Sequence, residues 1–557
     1  MIAPLLSVEN LSIGFEANNT TTPAVKHISF AIEAGQMLAI VGESGSGKSV
    51  TALSLLQLLP KEANISGEIN FTDKNLLALS PKEINTIRGK DIAMIFQEPM
   101  TSLNPVFTCG YQVMESLQLH EKLSSTKAKK RTIELFEKVK LPSPEKIIDR
   151  YPHELSGGQK QRVMIAMAMS CNPSLLIADE PTTALDVTVQ KTILELIKEL
   201  QLQNNMAVIL ITHDLGLVAD VADKVAVMYK GEIVEQADTK DIFSKPQHPY
   251  TKALIACRPA LHPKEQRLPL ISDFLEPKNE ASIIQNKKLP ENNNVVLRIE
   301  NLNVHYRSRK KLFTKQDPPF KAVNNVSFTV SKREIIGLVG ESGCGKTTLG
   351  RAILQLIPAT SGNIILEGKD LMKLPKDELR ILRRHLQVVF QDPYGSLNPR
   401  LSIGEAILEP MQVHSILSNT KQRKEKVADL LEKVNLKPDH FSRYPHQFSG
   451  GQRQRICIAR ALAVNPSFLI FDESVSALDV SVQAQILNLI NDLKAEFDFT
   501  GIFISHDLSV VRYISDRILV MHQGKIIEEG AADAIYFSPQ NAYTQKLIDS
   551  IPGKNIV

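Results

Sequence analysis

Apolar positions along the chain are bunched into short runs, at Met37–Val41, 175–178 and 208–211, and again at Ile335–Val339, 468–471 and 502–504. Between these runs hydrophobic residues recur with helical period. Short runs that are apolar throughout fit strands buried on both faces, so the pattern predicts α/β domains with a largely parallel core sheet. The longest apolar stretches, such as 206–211 and 468–471, fall far short of the roughly 20 residues that span a bilayer. The opening sequence MIAPLLSVENLSIGF has no basic start followed by a long apolar run and a cleavage site, so no signal peptide is expected.

The pattern is written twice. GESGSGKS begins at Gly42 and GESGCGKT at Gly340; LSGGQ begins at Leu155 and FSGGQ at Phe448; IADE ends at Glu180 and IFDE at Glu473; THD centres on His213 and SHD on His506. The last three pairs keep one spacing, which short chance matches could not do. Two homologous domains are therefore expected, at residues 1–257 and 295–557. Between them, 258–294 carries Pro259, Pro263, Pro269, Pro277 and Pro290 among polar residues, a composition that resists helix and reads as a linker. A flexible chain of that length has an end-to-end distance of about 35 Å against a domain radius of gyration near ~18 Å, so the two copies are expected to be able to meet face to face.

Composition changes little in this picture. The 557 residues are 43% hydrophobic and 23% charged, ordinary for globular domains. With 65 basic and 61 acidic side chains the charge gives no reason to expect a nucleic-acid partner held by phosphate contacts. Five cysteines, Cys109, Cys171, Cys257, Cys344 and Cys457, lie far apart without a CxxC pair and read as reduced thiols.

The candidate chemistry sits at the ends of the apolar runs. Gly42, Glu43, Ser44, Gly45, Ser46, Gly47, Lys48 and Ser49 follow a strand and precede a helical stretch, the context of a phosphate-binding loop. The glycines let backbone amides close on phosphate oxygens, Lys48 neutralises terminal phosphates, and the Ser49 hydroxyl can ligate magnesium. The same roles fall to Gly340, Glu341, Ser342, Gly343, Cys344, Gly345, Lys346 and Thr347. Asp179 with Glu180, and Asp472 with Glu473, each end a strand at the carboxyl edge of the sheet, where ligands of open α/β folds bind. The aspartate would hold the metal through water, and the glutamate would polarise the attacking water as general base. His213 and His506 follow further strands in repeat-matched positions and are candidates to contact the γ-phosphate.

Ser156, Gly157, Gly158 and Gln159, and Ser449, Gly450, Gly451 and Gln452, open helical stretches and can offer a hydroxyl, amides and a helix dipole to phosphate. LSGGQ and FSGGQ resemble the signature motif of ATP-binding cassette (ABC) proteins, and with two phosphate loops they identify that superfamily. The resemblance covers essentially the whole chain. It implies two tandem P-loop ATPase domains, each with an N-terminal antiparallel β region and a helical subdomain. It also implies that the signature of one cassette completes the ATP site of the other, with ATP and Mg2+ sandwiched between. Gln97 and Gln391 would then be metal ligands on loops that sense the γ-phosphate, Asp186 and Asp479 would cross the interface, and Phe15 and Tyr306 would stack on adenine.

QEPMTSLNP from Gln97, QDPYGSLNP from Gln391, Tyr-Pro-His at Tyr151 and Tyr444, and His-Pro-Tyr-Thr at His248 look like the oligopeptide, dipeptide and nickel branch of bacterial importers. That branch implies a peripheral protein at the cytoplasmic face of the inner membrane, with two permease subunits and, through them, a solute-binding protein as partners. A soluble twin-cassette ATPase acting on ribosomes or DNA is the alternative, disfavoured by a proline-bearing linker and the lack of zinc-type CxxC pairs. The second copy departs from the branch at Ser474, where proline is usual, and at Asn541-Ala542-Tyr543-Thr544; neither change removes a catalytic group, so both sites are expected to hydrolyse ATP. No cysteine follows Arg258 in the first copy's tail, so no iron–sulfur cluster is expected. Cys344 occupies a loop position that any small residue fits, which is the favoured reading; the sharper alternative is a reporter thiol whose alkylation blocks the second site and against which ATP protects. The basic run 307–315 reads as a solvated loop, with contact to a membrane surface as the lesser alternative.

Overall fold

In each half of the chain a short strand that is buried along its whole length feeds a glycine-rich loop and then a helix. The computed structural model describes residues 4–17, 20–97, 102–183, 185–276, 294–306, 318–476 and 478–553. Its contacts divide the chain into two compact units: Met1–Ala256 with Ile271–Pro277 and Pro552–Val557, and Cys257–Leu270 with Lys278–Ile551.

In the first unit, β1 (Leu6–Ala17), β2 (Thr20–Ile32) and β4 (Ala63–Phe71) form an antiparallel sheet, with β1 central between β2 and β4. A second, six-stranded sheet is built around β3 (Met37–Val41), all five residues of which are buried. It contains β5 (Ile92–Ile95), β6 (Leu175–Asp179), β7 (Ala207–Thr212), β8 (Lys224–Tyr229) and β9 (Glu232–Asp238), in the order β9-β8-β3-β7-β6-β5. All neighbours are parallel except the β8–β9 edge pair. Strands buried on both faces by helices explain the unbroken apolar runs. Helix α1 (Lys48–Leu55) follows β3; α2 (Cys109–His120), α3 (Ser125–Lys138) and α4 (Gly157–Ala168) pack on one another around Val113, Leu117, Leu135, Phe136 and Val163, forming the helical subdomain. Helix α5 (Val187–Asn204) connects β6 to β7, and α6 (Pro249–Ala256) and α7 (Ile271–Leu275) pack together.

The second unit repeats this plan. Its antiparallel sheet holds β10 (Val295–Tyr306), β11 (Phe320–Ser331) and β13 (Ser361–Leu366). Its core sheet runs β14-β15-β16-β12-β17-β18, made of β12 (Ile335–Val339), β14 (Leu386–Val389), β15 (Phe468–Asp472), β16 (Thr500–Ile504), β17 (Arg517–His522) and β18 (Lys525–Ala531). Helix α8 (Lys346–Ile353) follows the glycine loop, α9 (Gly450–Leu462) opens at the first glycine of FSGGQ, α10 (Val480–Phe497) follows β15, α11 (Leu508–Ile514) follows β16, and α12 (Ala542–Asp549) is the last helix among the described residues. No helix among the described residues is long and apolar enough to cross a membrane.

Of the segment 258–294, read from its prolines as a flexible linker, the first part is held down. Within the second unit the Lys264 ammonium lies 2.5 Å from Asp516 Oδ1, Arg267 Nη1 donates to both Asp492 oxygens, and the Asn488 side chain exchanges hydrogen bonds with the Leu268 N–H and carbonyl. Lys494 also donates to Asp516, so one half-buried carboxylate gathers two ammonium groups. Proline composition signals extended chain; it does not decide whether that chain is docked. Residues 277–293 and the run 307–315 lie outside the described residues.

Candidate ATP site

The strand order β6-β7-β3 brings three carboxyl ends to one edge of the first core sheet, and with them Gly42, Asp179 and His213. Gly47 has φ 103°, and a β-carbon there would lie 2.7 Å from the Ala24 carbonyl, so the turn into α1 admits only glycine. Lys48, 4% exposed, folds back over its loop and donates to the Gly42 and Glu43 carbonyls at 2.7 and 2.8 Å. Ser49 donates to Asp179 Oδ1 at 3.1 Å. Glu180, on the other side, receives Gln97 Nε2 at 2.9 Å and Thr183 Oγ1 at 2.8 Å on one oxygen, and His213 Nδ1 lies 3.2 Å from the other. Glu180 takes a left-handed φ of 46°, and its N–H is held by the Ile211 carbonyl at 2.9 Å. Strain of this kind persists where surrounding bonds over-determine a functional side chain.

The second unit builds the same arrangement with small differences. Lys346 donates to the Gly340 and Glu341 carbonyls at 2.7 and 3.1 Å, Thr347 to Asp472 Oδ1 at 3.2 Å, and Gln391 to Glu473 Oε2 at 2.8 Å. His506 Nδ1 stands 3.8 Å from Glu473, which again has positive φ, 49°. Ser476 donates to the Glu473 carbonyl at 2.9 Å, whereas Thr183 donates to the Glu180 carboxylate; the second glutamate is thus held by one fewer side-chain bond. Ser474 is 2% exposed and its hydroxyl has no hydrogen-bond partner among the described residues, a local cost to stability. Cys344 is 7% exposed and its sulfur is 4.0 Å from Lys346 Nζ, so alkylation needs the loop to move first.

Electrostatics separates the two carboxyls of each pair. Burial pushes Asp179 up to about 6, reinforced by the Glu180 charge and partly offset by the Ser49 bond and Lys48. Burial also acts on Glu180, but the His213 hydrogen bond and charge, with Thr183 and Lys48, outweigh it and hold that carboxyl down at about 2. Asp472 is likewise raised by burial, and Glu473 is lowered, burial being outweighed by His506 and Lys346. So held, each glutamate is ionised throughout the neutral range and can orient a water by accepting its hydrogen bond, and an aspartate reluctant to ionise gains from a nearby cation.

Magnesium fits these residues. Each unit pairs a hydroxyl with a buried carboxylate about 3 Å away, Ser49 with Asp179 and Thr347 with Asp472. Hard oxygen donors of this kind suit a small divalent ion that takes its remaining ligands from phosphate and water. Among the described residues no cluster of three or more His, Cys, Asp or Glu forms an all-protein metal cage.

The raised aspartate has a measurable consequence. Its folded value lies above the unfolded one, so ionising it in the fold opposes stability; the penalty is absent below about pH 4 and complete above about pH 6. D179N is therefore expected to stabilise the first unit by up to roughly 3 kcal/mol at pH 8 in magnesium-free buffer, a gain that vanishes by pH 4. Denaturant titrations across that range check it; a gain that does not shrink on acidification contradicts it.

Ser156 and Ser449 cap α4 and α9. Each side chain accepts from the N–H of the glutamine three residues on, at 3.3 Å, and each glutamine returns a bond to the serine N–H, at 3.0 and 3.1 Å. A β-carbon on Gly451 would lie 2.3 Å from Val482 and one on Gly158 2.9 Å from Val189, so the second glycine is required by packing on the next helix. Gly157 and Gly450 are exposed and less crowded. Phe15 and Tyr306 pair with Thr22 and Phe320, each two residues before the alanine whose carbonyl abuts the last loop glycine. Phe15 is partly buried against the core, whereas Tyr306 is 47% exposed.

Two groups escaped sequence reasoning. Thr183 and Ser476 brace the glutamates, and Tyr250 and Tyr543 reach the phosphate loops through their hydroxyls. Both pairs stand in repeat register, which is the signal that would have found them.

The profile described as ABC transporter matches residues 25–183 and 323–476, so it takes in both loops, both acidic pairs and both signatures. This chain belongs to the ABC transporter ATP-binding family. The profile for the oligopeptide/dipeptide transporter C-terminal region matches 234–282 and 527–555. The glutathione import ATP-binding protein GsiA of Pectobacterium atrosepticum is 48% identical over 563 residues, covering 98% of this chain and 89% of that protein. Its counterpart in Escherichia coli K12 is 49% identical over 564 residues with the same coverage. A solved dimeric bacterial ABC transporter cassette is 28% identical over 42% of this chain and 98% of its own, with a TM-score of 0.39. As a tandem-cassette member of this family, the protein is an ATPase.

Proposed function

We propose that this ATPase energises import of a peptide or peptide-like solute, glutathione among them, through two separate permease subunits fed by a solute-binding protein, from the cytoplasmic face of a bacterial inner membrane. The relatives named for glutathione import, and the oligopeptide-type C-terminal region present in both copies, support the solute class. The observation that carries the reading is the twofold constellation around Glu180 and Glu473, in which a glutamine, a histidine and an ionised carboxylate converge beside a phosphate loop. In it Glu180 and Glu473 take the proton of the attacking water. His213 and His506 face the γ-phosphate. Gln97 and Gln391 keep their amide oxygens for the metal while their nitrogens hold the base. Ser49 with Asp179, and Thr347 with Asp472, hold Mg2+, which neutralises phosphate charge when bound.

Each ATP is completed across the cassettes: the first loop by Ser449, Gly450, Gly451 and Gln452, the second by Ser156, Gly157, Gly158 and Gln159. Phe15 and Tyr306 stack on adenine, and Asp186 and Asp479 line the crossing. Closure on two ATP molecules and reopening after hydrolysis then drive the permeases.

Cells lacking the gene are expected to lose uptake of labelled glutathione or small peptides, and the wild-type chain, recovered from membranes, to bring permeases with it. Undiminished uptake of all such solutes, with recovery on ribosomes instead, overturns the import reading.

A further inference from the structure

The oligopeptide-type C-terminal region contributes one tyrosine to each phosphate loop. In the first unit the Tyr250 hydroxyl accepts from the Glu43 N–H at 3.0 Å; in the second, Tyr543 accepts from the Glu341 N–H at 3.1 Å. Each ring is gripped from the side, Tyr250 against Tyr229 with centroids 4.2 Å apart and Tyr543 against His522 at 4.0 Å. Tyr250 is wholly buried. The strand residues that grip the rings directly follow Met228 and Met521, whose carbonyls abut the loops' first glycines. Each loop is thus braced at its entrance by one strand end and one tyrosine.

The tyrosines are themselves held by matching chemistry on different residues. The Tyr250 N–H donates to His248 Nδ1 at 3.2 Å, and the Tyr543 N–H to Asn541 Oδ1 at 2.9 Å. A carboxylate on the preceding strand receives the turn: Glu235 accepts from the N–H groups of Gln247 and His248, and Glu528 from those of Gln540 and Asn541. The change from His-Pro-Tyr to Asn-Ala-Tyr between the copies therefore preserves an acceptor at the first position and the hydroxyl at the third. Of the two positions that vary, the first has a task that either side chain can perform.

We infer that Tyr250 and Tyr543 are positioning residues that pin the phosphate loops in their ATP-binding shape, so that the C-terminal region sets nucleotide affinity in each cassette. This rests on the ATPase reading of those loops. Binding to a loop already in shape costs less ordering than binding to a loose one, so the anchor acts on affinity and leaves the chemical step to Glu180 and Glu473.

The double variant Y250F/Y543F in the full chain keeps both rings and removes both acceptors. One lost hydrogen bond per loop is expected to raise the KM for ATP about three- to tenfold, with kcat within about twofold of wild type and a melting temperature lowered by no more than about 4 °C. H248A is expected to raise KM in the same direction, and H248N to restore it, since asparagine already performs that task at Asn541. An unchanged KM in Y250F/Y543F overturns the anchor, as does a joint fall of kcat and melting temperature, which marks plain packing. If the wild-type chain bound ATP without hydrolysing it, the ATPase reading would fail instead, and the ATP dissociation constants of wild type and Y250F/Y543F, measured by calorimetry, would still decide the anchor.

Discussion

Replacing Glu180 and Glu473 together with glutamine is expected to lower ATP turnover by at least about a hundredfold while ATP binding persists. Glutamine fits each pocket. At position 180 its carbonyl can take the bonds now given by Gln97 and Thr183, and its amide can face His213, so neither volume nor hydrogen bonding is lost. What disappears is the carboxylate charge, and with it the only capacity of this side chain to take a proton from water. Lys48, Ser49 and the loop amides are untouched, so the variant should retain nucleotide after gel filtration with magnesium. Single-turnover hydrolysis measured beside ATP retention checks both halves. Near-normal turnover would remove the glutamates from the chemistry, and loss of ATP binding would recast them as structural.

These glutamates, the phosphate loops and the signature motifs were legible in the sequence because the chemistry constrains neighbours along the chain: strand, turn, ligand, helix. The fold was legible for a related reason, since a strand covered on both faces must be apolar at every position, as Met37–Val41 and Ile335–Val339 are. Contacts between distant segments left no such trace. Asn488 and Tyr513 lie on helices where they read as ordinary surface and core residues, yet they hold the chain after the first cassette, through the Leu268 backbone and the Gln266 carbonyl. Asp516 looks like a strand-entry aspartate, but it joins Lys264, Lys494 and the Ile335 N–H. Tyr250 was legible only as a branch marker; its hydroxyl gains a role when α6 is laid beside the loop.

The proposed pairing of each phosphate loop with the other cassette's signature has a test in which two outcomes are exchanged. A β-carbon on Gly450 has its nearest neighbour, Leu478, at 3.9 Å, so aspartate fits there. At the first turn of α9 the helix dipole favours the new carboxylate, and folding should not suffer. Toward a triphosphate the same carboxylate is repulsive, and it replaces a donor surface with negative charge; loss of such stabilisation costs on the order of a hundredfold or more in rate. If Gly450 faces the ATP held by Lys48, then G450D disables the site whose base is Glu180. Adding E473Q should therefore abolish the remaining hydrolysis, whereas adding E180Q to G450D should change little. If each cassette encloses its own ATP, the two combinations trade places. G157D gives the mirror experiment, with E180Q the lethal addition and E473Q the silent one. Steady-state hydrolysis of the four double variants, each with a wild-type melting temperature, separates these geometries, and the reversed pattern would falsify the composite sites while leaving the ATPase assignment standing.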